Sequence, residues 1–135
     1  MGKLGGQLSE LSATALGSAA IAGAIDRSGI EPGELEYGYM GNMLSAGLGQ
    51  MPARQAMIGA GVPHGVSGMT INKACASGLA SVVLAAQTIQ AGDAEAVVAG
   101  GMESMSNAPH MLLNSRTGLR MGDSALTDHM VKDGL

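Results

Sequence analysis

The spacing of apolar residues predicts a helix near the start of the chain, over residues 9–28. Apolar side chains recur there every three or four residues, the period of one helix face: Leu11, Ala15, Ala19, Ala22 and Ile25. Ser9 or Ser12 can cap the first turn, and Gly29 followed by Pro32 can end the helix. The first element is therefore expected to be an amphipathic helix.

Strands and helices are predicted to alternate over the next hundred residues. β-prone runs predict strands over residues 35–44, 66–72 and 94–101, and helix-prone runs predict helices over 52–60 and 76–91. This order is typical of an α/β fold with parallel neighbouring strands. After Met102 the regularity decays, and residues 114–135 are expected to form a loop or an insertion.

Composition excludes several classes of function. The 135 residues fit one small domain, and 46% of them are hydrophobic, enough for a core. Seven scattered basic residues and two tyrosines provide neither a basic stripe nor a stacking platform, so nucleic-acid binding is rejected. The uncharged run over residues 74–92 contains Ser, Thr and Gln, which favours a buried helix of a soluble protein over a membrane span.

Compartment is indicated by two features of the sequence. The first ten residues lack the hydrophobic region of a secretory signal. Cys75 is the only cysteine, so no disulfide can form within the chain. Both features predict a reducing, cytoplasmic location.

Cys75 is the main candidate for chemistry. It follows a predicted strand and precedes the uncharged helix, so its thiol is expected on a sharp turn at the positive end of the helix dipole. That setting favours the anionic thiolate, which is the nucleophilic form. Small neighbours, Ala74 and Ala76-Ser77-Gly78, leave room for a substrate, and the N–H groups of the first turn can stabilise an oxyanion. The alternative is a small buried hydrophobic side chain.

Other chemistry-bearing residues are weaker candidates. His64, His110 and His129 are each expected to be solvated or locally hydrogen-bonded, with His110 the best placed as a base because it follows a strand of the same sheet. The carboxylates are spread too thinly to predict a metal site and are expected to be solvated charges: Asp93, Glu95, Glu103, Asp123 and Asp128. The Gly47-x-Gly49 segment lacks a third glycine at phosphate-loop spacing and is interpreted as a turn.

Residues 72–79, NKACASGL, resemble the active-site segment of the thiolases, the acetyl-CoA acetyltransferase family. Further stretches resemble the family in the same order: GNML at 41–44, GLGQ at 47–50, PARQA at 52–56, AGDA at 91–94 and VVAGGMESMSNAP at 97–109. MGD at 121–123 and KDGL at 132–135 resemble the start of the inserted loop domain of that family. The resemblance covers nearly the whole chain.

The resemblance implies a fold and a division into domains. The fold is a partial thiolase-like α/β fold, with residues 1–113 in the N-terminal α/β domain and residues 114–135 at the start of the loop domain. The family's usual first strand, central in its sheet, has no counterpart before Gly5-Gly6, and the C-terminal half is not represented. The resemblance therefore implies an internal piece of a thiolase, with Gln50 and Arg54 near the family's dimer interface.

The resemblance also implies a reaction. Cys75 takes an acyl group from acyl-CoA, its N–H forms part of an oxyanion hole, and a Claisen condensation of two acetyl-CoA gives acetoacetyl-CoA, with thiolysis as the reverse. No metal or redox cofactor is implied, since CoA is a substrate. The catalytic His, the water-positioning Asn and the second Cys of the family have no counterparts in this sequence, so the chain alone is expected to be incomplete.

Two alternatives to a thiolase enzyme segment remain open. One is a non-catalytic, truncated fragment that folds by self-association. The other is a related 3-oxoacyl synthase, against which the MESMSNAP stretch at 102–109 argues. For the enzyme segment itself, the expected protein partner is another copy of the chain, as a homo-oligomer, or the missing thiolase half. The expected small-molecule partners are acetyl-CoA and acetoacetyl-CoA, with no nucleic acid and no membrane.

Overall fold

In the computed structural model, which describes residues 2–135, the first 100 residues alternate between helices and strands. The order is α1 (Ala13–Ser28), β1 (Tyr37–Gly41), α2 (Pro52–Gly59), β2 (Ser67–Ile71), α3 (Ser77–Ala91) and β3 (Val97–Gly101). Short 3-10 turns lie at Pro32–Glu34 and Met105–Asn107. The α/β class and the predicted element order are confirmed.

Boundaries of the elements follow local capping chemistry. α1 begins four residues later than predicted, because the Ser12 side chain accepts a hydrogen bond from the Ala15 N–H. The helix ends at Gly29, whose φ of 72° is left-handed and suits glycine. Gly92 ends α3 in the same way, with a φ of 79°.

The three longer strands form one parallel sheet in the order β2-β1-β3. The resemblance implied a further strand at the centre of this sheet. Among the described residues, β1 occupies the centre and pairs with a neighbour on each side. The outer edges of β2 and β3 are the open edges of this three-stranded sheet.

The core lies between this sheet and the layer formed by α1 and α2. Met57 of α2 is fully buried, and a Cβ on Gly38 of β1 would collide with its sulfur. Gly38, which weakens the strand pattern in the sequence, therefore makes room for a large core side chain. Gly17 of α1 fits against Met102 in the same manner.

α3 packs on the opposite face of the sheet, and only one side of it is buried. Ser77, Ser81, Ala85 and Thr88 face the sheet, and Tyr39 hydroxyl lies 3.2 Å from the Thr88 hydroxyl. The opposite side, called here the outer face of α3, is apolar and exposed: Leu79, Val82, Val83 and Ile89. The prediction that residues 74–92 form a buried helix is wrong, because the sheet covers one side only.

The window over residues 74–91 has a mean hydropathy of 1.3, and 17% of the window is buried, so by length and composition alone it is apolar enough to cross a membrane. Core helices of soluble proteins can have the same length and composition. The Ser, Thr and Gln side chains in this window still favour a protein environment.

The last quarter of the chain is less regular. β4 (His110–Met111) and β5 (Thr127–Asp128) pair as an antiparallel two-stranded ribbon, followed by a π-helical turn at Met130–Gly134. The ribbon joins residues from both sides of the predicted domain boundary at 113/114, and that boundary stays a prediction. Residue 1 lies outside the described residues.

Candidate functional site

Cys75 lies on the turn between β2 and α3, where the sequence predicted it. The thiol is free and exposed, two residues before the first residue of α3. It is not a buried packing residue, so the alternative of a purely structural cysteine is not supported. Cys75 therefore directly precedes the first turn of α3, whose opening N–H groups form the positive end of the helix dipole.

The turn over residues 72–76 is held by side chains that the sequence reasoning did not single out. The Lys73 N–H donates to the Ser77 hydroxyl at 2.8 Å, and the Ala74 N–H donates to the Asn72 side-chain oxygen at 3.1 Å. The Ser77 hydroxyl in turn donates to the Ala74 carbonyl. Asn72 and Ser77 therefore shape the backbone on both sides of Cys75.

Ala74 has a left-handed backbone, with a φ of 48°. Non-glycine residues rarely adopt this conformation, which costs about 1–2 kcal/mol for an L-residue. The Ala76 and Ser77 N–H groups donate to the Lys73 and Ala74 carbonyls at 3.1 Å and offset this cost. The strained residue sits directly before Cys75 and turns the chain sharply from strand to helix.

Three glycines bring the start of α3 against the ends of the strands. A Cβ on Gly41 would collide with the backbone of Ser77 and Gly78, and a Cβ on Gly101 would lie 3.0 Å from the Gly78 Cα. Side chains at these positions would push the helix away from the sheet. The glycines thus set the height of the Cys75 turn above β1 and β3.

An open apolar groove begins beside this turn. It has a volume of about 400 Å³ and runs from Lys73 and Ala76 along α3 to Gln87. Leu79, which is 70% exposed, and Val83 form part of its wall. The groove joins the neighbourhood of the thiol to the outer face of α3.

The three histidine side chains are not hydrogen-bonded to the Cys75 turn in the described part of the chain. His64 is exposed, and His110 is exposed in β4, which belongs to the separate ribbon and not to the sheet of β1. As expected, His110 follows a strand of the same sheet as β2, namely β3. Across residues 2–135, no imidazole is hydrogen-bonded to Cys75.

His129 is 6% exposed and has two polar neighbours. Its Nδ1 lies 2.6 Å from the Asp133 carboxylate, and its Nε2 accepts from the Ala46 N–H at 3.4 Å. The sequence predicted a solvated or locally hydrogen-bonded imidazole, and the second description applies. His129 joins the C-terminal turn to the loop after β1.

No group of three His, Cys, Asp or Glu side chains in the described part of the chain is arranged to hold a metal ion. The absence of a metal cofactor stays a prediction. Gly47 and Gly49 both have positive φ, and residues 45–50 form a turn. Arg54 donates to the Val66 carbonyl at 2.8 Å and to the His64 carbonyl, so its guanidinium braces the segment before β2.

Known proteins are similar to this chain over its whole length. The family model for the thiolase N-terminal domain matches residues 1–135. The chain is similar to acetyl-CoA acetyltransferase from Cupriavidus necator (55% identity) and to acetyl-CoA acetyltransferase 2 from Arabidopsis thaliana (54%); each match covers all of this chain and 34% of the relative. A cytosolic acetyl-CoA acetyltransferase of Gibberella zeae is 51% identical over the same span.

The chain thus spans about a third of the length of the curated relatives it matches. The family model covers every residue, including the Cys75 turn, the three glycines against α3 and the C-terminal ribbon. The chain therefore belongs to the thiolase family, and its sequence corresponds to the N-terminal domain of that family.

Proposed function

We propose that this chain supplies the nucleophile of an acetyl-CoA C-acetyltransferase. The observation that carries the proposal is the position of Cys75, exposed on a strained strand-to-helix turn directly before the first turn of α3. The names of the relatives favour acetyl transfer over the alternative of a 3-oxoacyl synthase.

In the proposed reaction, the Cys75 thiolate attacks the thioester carbonyl of acetyl-CoA. A C–S bond to Cys75 forms, the bond to the CoA sulfur breaks, and CoA leaves as its thiolate. A second acetyl-CoA loses an α-proton to a general base, and its carbanion forms a C–C bond to the acetyl carbonyl carbon on Cys75. The C–S bond to Cys75 then breaks, which releases acetoacetyl-CoA and returns the Cys75 thiolate. The backbone N–H of Cys75 stabilises an oxyanion in this scheme. Thiolysis is the reverse.

Residues 1–135 supply only part of this machinery. A general base is needed to take the α-proton, and no described imidazole is bonded to Cys75. We propose that further thiolase residues, in another segment or another chain, complete the site and cover the outer face of α3. Association of identical chains is the second candidate, favoured by that same exposed apolar face.

The proposed setting is the cytoplasm, in line with the cytosolic relative from Gibberella zeae and with a single free thiol. Acetyl-CoA and acetoacetyl-CoA are the proposed substrates. CoA enters as a substrate, so the proposal includes no separate cofactor.

Complementation tests the proposed function. The chain is mixed with the C-terminal two-thirds of the Cupriavidus necator relative, and CoA-dependent thiolysis of acetoacetyl-CoA is measured. The relative's own N-terminal third serves as the positive control. We expect the mixture to be active, the Cys75→Ala mixture to be inactive, and the chain alone to have little or no activity.

Two results would contradict this proposal. The first is an inactive mixture when the control mixture is active. The second is full activity in the Cys75→Ala mixture. Robust thiolysis by the chain alone, lost in Cys75→Ala, would instead show that residues 1–135 contain a complete site.

A further inference from the structure

Glu103 follows β3 and is engaged by three hydrogen-bond donors. Its carboxylate accepts from the Asn42 side-chain amide at 2.7 Å, from the Met43 N–H at 2.9 Å and from the Leu44 N–H at 3.0 Å. The sequence predicted a solvated charge here, and that prediction is wrong because the loop after β1 folds over the carboxylate. Charge-assisted bonds of this kind are among the stronger ones in proteins.

Asn42 connects this carboxylate to all three strands. It is 1% exposed, and its backbone N–H donates to the carbonyl of Ile71, the last residue of β2, at 3.0 Å. Its side-chain amide also donates to the Met102 carbonyl at 3.2 Å. The Met102 N–H donates to the Gly41 carbonyl at 2.9 Å. Asn42 and Glu103, called here the strand-end clamp, tie the ends of β1, β2 and β3 together.

The amide of Asn42 depends on Glu103 for its orientation. Its side-chain oxygen is buried and has no hydrogen-bond partner among the described residues. A buried acceptor without a donor is destabilising, so another interaction must hold the amide in place. The two bonds from its nitrogen, to Met102 and to Glu103, are the interactions that do so.

The strand-end clamp lies directly beneath the Cys75 turn. Ile71, bonded to Asn42, is followed at once by residues 72–76. Gly41, the neighbour of Asn42, touches the backbone of Ser77 and Gly78 at the start of α3. A displacement of Asn42 would therefore move both ends of the turn that carries the thiol.

We propose that Glu103 is a positioning residue for acyl transfer at Cys75, acting through Asn42 on the end of β2 and the start of α3. This inference rests on the proposed role of Cys75 as acyl acceptor. Glu103 touches neither the thiol nor the substrate in this scheme. It fixes the strand ends so that the thiol and the N–H groups of the turn keep one geometry.

Glu103→Gln tests the proposal, and Glu95→Gln is the matched control. Both variants remove one negative charge near β3, but Glu95 is exposed and its side chain is not bonded to the loop after β1. The Gln at position 103 would turn an amide N–H₂ toward the N–H donors of Met43 or Leu44. If Glu103→Gln does not fold, Glu103→Asp, which keeps the charge on a shorter side chain, is measured in its place.

Hydrogen exchange separates local positioning from general stability. In Glu103→Gln we expect the Ala76 and Ser77 amides to exchange about tenfold faster, with a smaller change at the amides of β1. The rate of Cys75 alkylation by iodoacetamide should change in the same variant and stay unchanged in Glu95→Gln. An equal acceleration at β1 and at the turn, or identical behaviour of the two variants, would overturn the proposal.

The rate at which acetyl-CoA acetylates Cys75 distinguishes this inference from the proposed function. If acetyl-CoA acetylates Cys75 in the unchanged chain, Glu103→Gln should lower the acetylation rate about tenfold while leaving the fold intact. An unchanged rate would overturn the positioning role alone. If the unchanged chain takes no acetyl group by itself, the complementation mixture decides the proposed function, and the exchange and alkylation rates still decide the role of Glu103.

Discussion

Single side chains around Cys75 carry most of the local geometry. The Ser77 hydroxyl is buried and bridges the Lys73 N–H and the Ala74 carbonyl. It fixes the turn that carries Cys75, in which Ala74 has a strained left-handed conformation. The sequence predicted the place of the thiol. The role of Ser77 could not be predicted, because it depends on the left-handed φ of Ala74, a conformation that the residue type alanine does not indicate.

We expect Ser77→Ala to lower the free energy of unfolding by about 0.5–1.5 kcal/mol, because the Lys73 N–H loses its hydrogen-bond acceptor. Ser81→Ala is the control, since the Ser81 hydroxyl is equally buried but only donates to the Ser77 carbonyl within α3. Urea unfolding measures both variants. Equal losses in the two variants would show that the Ser77 bridge adds nothing.

At the scale of elements, the sequence predicted the three α-helices and the three strands of the sheet, but it did not predict the exposure of α3. The periodicity of α1 and the apolar run of β3 depend on local composition and are readable. The exposure of α3 could not be predicted, because an apolar helix has the same sequence pattern whether one side or both sides of it are covered. The ribbon of β4 and β5 was also missed, since each strand has two residues and the pair forms across a long loop.

The close backbone contact between α3 and the sheet predicts that a side chain at position 41 strongly destabilises the fold. We expect Gly41→Ala to lower the free energy of unfolding by about 3 kcal/mol, because its Cβ meets the backbone of Ser77 and Gly78 and not a flexible side chain. Gly33→Ala is the control, with no atom within 4 Å of the added Cβ. Thermal or urea unfolding gives the comparison, and a tolerated Gly41→Ala would refute the tight contact.

At the scale of the whole molecule, the outer face of α3 is an exposed apolar surface. Leu79 is 70% exposed and lies at the groove that begins beside the Cys75 turn. Exposed apolar patches of this kind mark interaction surfaces. The open edges of β2 and β3 add unpaired backbone groups that can pair with another chain. The family resemblance anticipated a partner, and composition alone did not locate its surface.

The chain is expected to self-associate in solution. Leu79→Lys should shift the mass measured by size exclusion with light scattering toward the monomer, because it places a charge on the outer face of α3. Leu119→Lys changes an equally exposed leucine in the loop before β5 and should have little effect. A sharp monomer peak from the unchanged chain would contradict the expectation.

The central claim is that the fold, and not the cysteine alone, makes Cys75 an acyl acceptor. The most direct measurement is peptide mass mapping after incubation with acetyl-CoA, in native buffer and in urea that unfolds the chain. The account predicts an acetyl thioester, removable by hydroxylamine, on the Cys75 peptide of the native chain and a much slower reaction in urea. Equal labelling of native and unfolded chain, or no label on Cys75 in either, would contradict it.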